Sequence, residues 1–493
     1  MTAGVGAAGE ATSGAVTQTL AQRLAAFACE TRESGVPDEV RASVRQRVLD
    51  IVGLCLAAGD LPTSHAALAF VVEQGGHGTA HAIGLADPVP PALAAFANGV
   101  LAHSLDYDDT HLPSVLHPSA AVVPAALAAA EQSGASGREV VSAIAVGLEV
   151  CVRLGMAGYD PETRNSTFFE HGQHATSICG AMGGAVSAAM LLGLDRRGVL
   201  DTLGVAGSMA AGIIEANRSG GTVKRLHCGW AAHAALSAAS LVRHGFTGPP
   251  TVLEGRFGFF EAFLHGRYDA AAVVDGLGSS WATPDIFFKP YPANHFTHAA
   301  LDAAYELARQ GLRPEHVAAI RLLAPAPVIR TIGEPIEDKR TPSTGYQAQF
   351  SGPFAVATGL LAGAAGTRPG RADFTDELAR EPVRRELMAK VTVAPDDECS
   401  AIFPFEFPAI VEVDTVDGRT LVSKVLTNLG GPRRPLSDED LLAKFRDNGA
   451  GVAATDLAEI ERGILGLDDL PQIRSLLAVA ARAKPVAIRA REE

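Results

Sequence analysis

The chain has 493 residues, of which 47% are hydrophobic and 19% charged, a composition typical of a folded globular protein long enough for two domains. Its formal net charge of -14 argues against a nucleic-acid partner, because an acidic surface repels phosphates. A small anionic substrate remains compatible with this charge, since a local cluster of cations can override it.

Six cysteines are scattered along the chain without a Cys-x-x-Cys pair, which argues against a disulfide scaffold or a structural zinc site and favours a reducing, cytoplasmic location. Residues 1–16 are rich in Gly, Ala and Ser and are predicted to be mobile. The N-terminal residues lack a basic segment followed by an apolar core, so we predict no signal peptide. The apolar stretch 179–194 is short and flanked by His174 and Asp195, so we expect a buried helix there and no membrane partner.

From about residue 16 to about residue 280 the pattern is helical. Four valines recur every four residues from Val40 to Val52 and form one apolar stripe, with Pro37 before the segment and Gly59 after it. Later segments are apolar on nearly all sides and rich in Ala and Gly, which predicts closely packed buried helices. These segments are residues 92–103, 120–131, 139–154 and 176–193. The first 280 residues are therefore predicted to form a large helical bundle.

The pattern changes near Trp281, where strand-like runs begin to alternate with helical ones. Alternating β-branched residues on either side of Asp417-Gly418 predict a hairpin. The predicted architecture is mostly α, with a large helical domain of residues 1–280 and 430–493 and a smaller inserted α+β domain of residues 281–429. The C-terminal helices are too few to stand alone, so we expect them to pack on the first part.

Residues 103–119, HSLDYDDTHLPSVLHPS, lie between two segments predicted to be buried helices. The segment carries the following carboxylates and imidazoles: Asp106, Asp108, Asp109, His103, His111 and His117. Charged groups between buried helices are costly unless they are paired or hydrogen-bonded. Chains usually tolerate such a cost where chemistry happens, so this segment is the main candidate site, with a purely structural role as the alternative.

Other segments also place polar side chains at element boundaries. They are His171 and His174 before an apolar helix, Lys224, Arg225 and His227 after a Gly-rich turn, Lys289, His295 and His298 at the domain junction, and Lys339, Arg340, Tyr346 and Gln349 further on. Taken singly, each has an ordinary explanation as a loop, core or packing residue. A metal-dependent hydrolase remains an alternative because the His and Asp residues are plausible ligands, although lysines in the same pocket would repel a cation. A non-catalytic helical binding protein is a further alternative.

Several motifs together resemble the MmgE/PrpD family. ANGVLAHSLDYDDTH followed by LHPSAAVVPAALA is similar to its signature, and so are GQHATSICGAMGGAVSAAMLLGLD, GGTVKRLHCGWAAHAALSAASLVRHGFTGP and KPYPANHFTHAALDA. The resemblance covers nearly the whole chain. The family includes 2-methylcitrate dehydratases and cis-aconitate decarboxylases. The resemblance implies a helical domain with an α+β lid, a homodimer, and a site without metal or cofactor in the cleft between the domains.

Carried over position by position, the resemblance implies which residues are functional. On this basis we predict Asp106, His117, His174, Lys224 and Lys289 as catalytic residues, and Thr110 and Tyr346 as substrate-binding residues. Arg225 and His227, which lie beside Lys224 in the sequence, are predicted from that position to bind substrate as well. Family substrates are small di- or tricarboxylates, and their elimination, decarboxylation or epimerisation forms a carbanion or enolate next to a carboxylate. Lysines can stabilise that charge and a histidine can move the proton. The lysine charges are expected to serve the ligand and not the core.

One departure bears on the substrate. Many dehydratases of the family read HPSD where this chain reads HPSA at residues 117–120, which weakens the expectation of a methylcitrate substrate. The predicted function is a metal-independent lyase that dehydrates or decarboxylates a small polycarboxylate, with an epimerase or isomerase of a polycarboxylate as the alternative.

Overall fold

The computed structural model describes residues 18–216 and 221–488. The segment 1–16, predicted to be mobile, and most of the Gly-rich turn before Lys224 lie outside these residues. Helix accounts for 58% and strand for 9% of the structure, which confirms a mostly helical fold with a small α+β part.

The first part of the chain consists mainly of helices and of one short pair of strands. The helices are Leu20–Ser34, Asp38–Ala58, Pro62–Gln74, Pro91–His103, Ser119–Ser133, Gly137–Ala157, Thr167–Glu170, Ala175–Leu191, Arg196–Gly207, Val223–Arg243, Phe259–Leu264 and Ala270–Val274. Strands β1 (Tyr159–Asp160) and β2 (Asn165–Ser166) pair antiparallel. Capping boxes at Thr19 and Ser136 fix the starts of two helices by satisfying their first backbone N–H groups.

Glycines let the helices of this part approach closely. A Cβ at Gly99 would lie 2.7 Å from the carbonyl oxygen of Cys228, and a Cβ at Gly229 would lie 2.5 Å from that of Phe96. The helices Pro91–His103 and Val223–Arg243 therefore touch backbone to backbone, which brings His103 next to Cys228.

Two apolar parts of the fold have the length and composition of a membrane span. Gly137–Ala157 is long and apolar enough to cross a membrane, but 94% of its most apolar window is buried against other parts of the fold. The pair Asp38–Ala58 and Pro62–Gln74, which meets at 95°, passes the same test only when taken together. Ala175–Leu191, in the region predicted to be a buried helix, is buried along its whole length.

The second part is built on a mixed four-stranded sheet. Its strands are β3 (Val317–Ala324), β4 (Val391–Pro395), β5 (Ala409–Thr415) and β6 (Thr420–Val425), in the order β4-β3-β5-β6. Strand β3 runs parallel to β4 and antiparallel to β5, and β5 and β6 form the hairpin predicted around Asp417-Gly418. The helices here are His298–Arg309, Ile329–Ile332, Ile336–Arg340, Gly345–Ala348, Gly352–Ala365, Pro382–Ala389 and Asp397–Ile402. Helix His298–Arg309 packs on Gly352–Ala365 and also contacts β5 and β6.

The chain then returns to the first part through a glycine. Gly430 has a φ of 101°, and a Cβ there would lie 2.0 Å from the carbonyl oxygen of Phe288, so no larger residue fits. The following helices, Asp438–Asn448, Ala454–Leu465 and Arg474–Ala483, pack on helix Asp38–Ala58.

Two hydrophobic cores result. One contains residues between 21 and 286 together with residues between 445 and 480, and the other contains residues between 287 and 425 together with Leu112. The first core joins the beginning and the end of the chain, and the second belongs to the sheet and its helices.

Candidate active site

The loop of residues 104–118 lies where the two cores meet. Its Leu116 packs into the helical core, whereas its Leu112 packs into the core of the sheet. The N–H of Thr110 donates to the carbonyl oxygen of Phe287, and the N–H of Phe287 donates to that of Thr110, each at 2.8 Å. The loop is therefore fixed to both parts of the molecule.

Asp106 joins two lysines that are far away in sequence. Its backbone is in the left-handed region at a φ of 51°, which Asp tolerates better than most residues. The ammonium of Lys224 donates to Asp106 Oδ1 at 2.9 Å, and that of Lys289 donates to the Asp106 carbonyl oxygen at 2.9 Å and to Oδ1 at 3.3 Å. All three side chains are buried, so two positive charges face one negative charge in a region of low dielectric.

The charges in this cluster reinforce each other. Burial alone would raise the pKa of the Asp106 carboxyl, but the ammonium groups of Lys224 and Lys289 outweigh it and hold that pKa well below its usual value. Burial lowers the pKa of Lys224, but the Asp106 charge outweighs it and the pKa is raised. Asp106 and Lys224 are therefore both ionised at neutral pH.

Three buried histidines near the loop are neutral. Nδ1 of His117 lies 2.7 Å from the Asp109 carbonyl oxygen and 3.3 Å from Thr110 Oγ1. A carbonyl only accepts, so Nδ1 carries the hydrogen and Nε2 is the basic nitrogen. Burial lowers the pKa of His117 to about 3. His174 Nδ1 lies 2.8 Å from His227 Nδ1, and burial lowers the pKa of both, that of His227 to about 4.

The rim of the cluster is formed by two less buried residues. The guanidinium of Arg225 lies 4.5 Å from the ring centre of Tyr346, and both side chains are half-buried. The neighbouring Lys224 ammonium lies 5.2 Å from the ring of Phe350. Arg225 and Tyr346 are therefore the more exposed residues beside the buried Lys224.

The structure brings every predicted site residue into this one region, since the contacts above and the rings of His103, His117 and His174 connect them. Their catalytic and binding roles stay predictions. Two polar residues singled out by sequence lie elsewhere. His171 stacks on His265 with ring centres 4.1 Å apart, and Arg340 donates to the carbonyl oxygen of Val391.

Comparison with known proteins identifies the family of this chain. The sequence model of the MmgE/PrpD N-terminal domain matches residues 22–271, and that of the MmgE/PrpD C-terminal domain matches residues 291–467. The chain belongs to the MmgE/PrpD family. Family membership, predicted from the sequence motifs, is thereby confirmed.

Similar relatives of this MmgE/PrpD protein include three cis-aconitate decarboxylases. That of Homo sapiens is 32% identical over 404 residues, covering 79% of this chain and 80% of the relative. That of Aspergillus terreus is 29% identical over 461 residues, 90% of this chain and 92% of the relative. That of Mus musculus is 32% identical over 384 residues, 75% of this chain and 74% of the relative. The prediction that the chain is an enzyme of the lyase type is confirmed.

Arg47 holds the site loop of this MmgE/PrpD protein but was not found from the sequence. Its guanidinium, only 1% exposed, lies 2.8 Å from Asp109 Oδ2 and donates to the carbonyl oxygens of Thr283 and Ile286. Asp109 also accepts hydrogen bonds from the N–H and the hydroxyl of Ser119, the first residue of the next helix. Arg47 thus ties the loop to the segment that leads to Lys289.

Lys444, in the C-terminal helix Asp438–Asn448, also holds the site loop. Its ammonium lies 2.7 Å from Asp50 Oδ1 and donates to the Tyr107 carbonyl oxygen at 3.0 Å. Arg47 and Lys444 both lie on the buried face of an amphipathic helix. A cation on an apolar stripe is the sequence signal that could have found them, because such a charge needs a buried partner.

One group of side chains in the described part of the chain has the spacing of a metal site. Ligand atoms of His103, Asp108 and Cys228 lie within 4.8 Å of one another, and all three are buried. Burial raises the pKa of the Cys228 thiol well above its usual value, which disfavours the thiolate that binds metals. The ammonium of Lys289 also acts on Asp108, and this positive charge opposes a cation there.

Proposed function

We propose that this enzyme is a metal-independent lyase that decarboxylates a small polycarboxylate similar to cis-aconitate through a carbanion or enolate-type transition state. The observation that carries the proposal is the cluster of Asp106, Lys224 and Lys289, in which positive charge exceeds negative charge beside neutral imidazoles. Such a cluster stabilises negative charge that develops on a substrate, and it does so strongly because it is buried. The names of the relatives support a carboxylate substrate.

In this proposal, the substrate carboxylates bind to Lys224, to the Thr110 hydroxyl and to Arg225 at the rim. Breaking the bond to the departing carboxylate leaves an electron pair on the substrate carbon, and that pair is delocalised into the neighbouring carboxylate. The ammonium of Lys224 stabilises the resulting charge. A proton then reaches the carbon from His117 or His174, and carbon dioxide leaves.

Dehydration, of a 2-methylcitrate-like substrate for example, is the second candidate. Its first step is the removal of a proton from carbon, and His117 Nε2, which carries no hydrogen because Nδ1 donates to the Asp109 carbonyl, is a nitrogen that can accept it. Epimerisation would begin with the same proton removal. The HPSA sequence at residues 117–120 favours decarboxylation over methylcitrate dehydration.

The proposal also includes a homodimer in the cytoplasm, with a small carboxylate as the only other partner. The six cysteines are free thiols, as expected in a reducing compartment. Size-exclusion chromatography with light scattering tests the dimer.

The decisive experiment is an NMR screen in deuterated buffer with citrate, 2-methylcitrate, cis-aconitate and related diacids, with and without EDTA. Decarboxylation releases carbon dioxide and places one deuterium on the product carbon. Dehydration gives an unsaturated product, and epimerisation gives deuterium exchange without loss of water or carbon dioxide. Conversion of none of these compounds would refute the lyase. Activity that EDTA abolishes and a divalent ion restores would refute metal independence.

A further inference from the structure

A fourth imidazole lies next to two of the three neutral histidines. His103 ends the helix Pro91–His103, is 2% exposed, and its Nδ1 lies 2.7 Å from Asp108 Oδ2. Its ring centre is 5.3 Å from that of His117 and 5.8 Å from that of His174. Nε2 of His103 is buried and has no hydrogen-bond partner among the described residues. The pair therefore holds one ring nitrogen on a carboxylate and leaves the other nitrogen buried without a partner among the described residues, in a ring that neighbours those of His117 and His174.

The proposed decarboxylation needs a source of protons. Each turnover adds one proton to carbon, but burial lowers the pKa of His117 and His174 so that both are neutral at physiological pH. His117 already uses its single hydrogen on the Asp109 carbonyl. Neither imidazole therefore stores the proton that it has to deliver, and another group has to supply it.

His103 has the surroundings that a stored proton requires. The Asp108 carboxylate at 2.7 Å is the charge partner of a protonated imidazole, and the C-terminal end of a helix also favours a cation. The groups that oppose a proton there come from several elements: His117 on the loop, His174 before its helix, Lys224 and His227 on the helix Val223–Arg243, and Lys289 before the sheet. The Asp108 carboxylate is in hydrogen-bond contact with the ring and is the charge partner that the structure gives to His103.

We propose that His103, held by Asp108, is the proton reservoir of this active site. As an imidazolium it passes the proton on Nε2, directly or through one water, to His117 or His174. That histidine gives the proton to the substrate carbon, which binds it with the electron pair left by the broken bond to the departing carboxylate. His103 then takes a new proton from water, so each cycle consumes one solvent proton and releases one carbon dioxide. This inference rests on the proposed decarboxylation and adds the origin of its proton.

The test compares Asp108→Asn with wild type. Asparagine keeps the shape and can still accept from Nδ1, but it removes the charge that stabilises the imidazolium. We expect kcat at pH 7.5 to fall on the order of 10²-fold, the low end for loss of a proton-transfer group, with KM within about threefold. The alkaline limb of the kcat–pH profile should move to lower pH, because the opposite charge beside the imidazole has been removed. Acidification should therefore restore activity to the variant, which a merely structural role of Asp108 would not allow.

Two further variants complete the experiment. His103→Gln should lose a comparable amount of kcat at every pH, because no group remains to be protonated. His111→Gln is the matched control, since His111 is a buried histidine of the same loop whose ring bonds to Ser114. It should keep the wild-type pH profile. Circular dichroism and thermal unfolding establish that each variant is folded.

The outcomes separate the two proposals. If wild type converts no carboxylate in the NMR screen, the proposed function fails before any variant is made. If wild type decarboxylates its substrate and both Asp108→Asn and His103→Gln keep its kcat and pH profile, the reservoir is wrong and the lyase stands. A kcat of Asp108→Asn that is lowered equally at every pH would also overturn the reservoir, because it indicates a structural role.

Discussion

The two lysines that contact Asp106 are predicted to differ in what they contribute to stability. Lys289 is fully buried and makes two contacts with Asp106, to its carbonyl oxygen at 2.9 Å and to its carboxylate at 3.3 Å. The Lys224 side chain remains 11% exposed and makes one contact at 2.9 Å. Removing one partner of a buried ion pair costs about 3–5 kcal/mol, and because Asp106 keeps Lys224, we expect Lys289→Met to cost about 3 kcal/mol. Lys224→Met should cost about 1.5 kcal/mol, the value of one hydrogen bond to a charged group.

Urea denaturation of the wild type, of both lysine variants, of Asp106→Asn and of the double variant Asp106→Asn with Lys289→Met measures these costs. The double variant should be more stable than the sum of the single effects predicts, by about 2 kcal/mol, because the contact between Lys289 and Asp106 is counted in both single effects but lost only once. Activity should fall in both lysine variants, with the larger rise of KM in Lys224→Met, since its ammonium is the one nearer to solvent. A Lys289→Met variant as stable as wild type would refute the reasoning, because the lysine would then not be paired as the structure shows.

Three further outcomes are expected. His117→Ala should lower kcat by about 10²–10⁴-fold in the NMR or carbon dioxide assay, the range for loss of a general acid–base group, and full activity would move the proton transfer to His174. Dialysis against EDTA should leave kcat unchanged, as followed by the same assay together with metal analysis of the protein. Burial lowers the pKa of His111 to about 4, so the unfolded chain binds more protons below about pH 6.5 and the native state is most stable above that pH. The free energy of unfolding of wild type should therefore fall as the pH drops from 6.5 towards 4, and less steeply in His111→Gln; equal slopes would contradict the lowered pKa.

Local sequence patterns were sufficient to predict those helices and strands that depend on neighbouring residues. The valine stripe from Val40 to Val52 predicted a helix, and the alternation around Asp417-Gly418 predicted the hairpin between β5 and β6. Both signals depend on residues within one or two turns or strands. The motifs that resemble the MmgE/PrpD family likewise pointed to side chains that the structure brings together.

The pairing of the charges was not predictable in the same way. Lys289 was expected to serve only the ligand, but it is fully buried against Asp106, 183 positions away. Arg47 contacts Asp109, which is 62 positions away, and the residues next to either one in the sequence do not indicate this pairing. Which cation meets which carboxylate depends on how the helices pack, and the periodicity of a single helix does not contain that information.

The contact between Lys444 and the loop has a consequence for folding during protein synthesis. The ribosome releases the loop of residues 104–118 more than three hundred residues before Lys444, which holds the Tyr107 carbonyl 337 positions away. Until Lys444 emerges and its helix docks on Asp38–Ala58, the Asp50 carboxylate and the Tyr107 carbonyl have only water or a chaperone to bind. A chain that ends before Lys444 therefore lacks the contact to the Tyr107 carbonyl, and we expect its loop to be held less firmly.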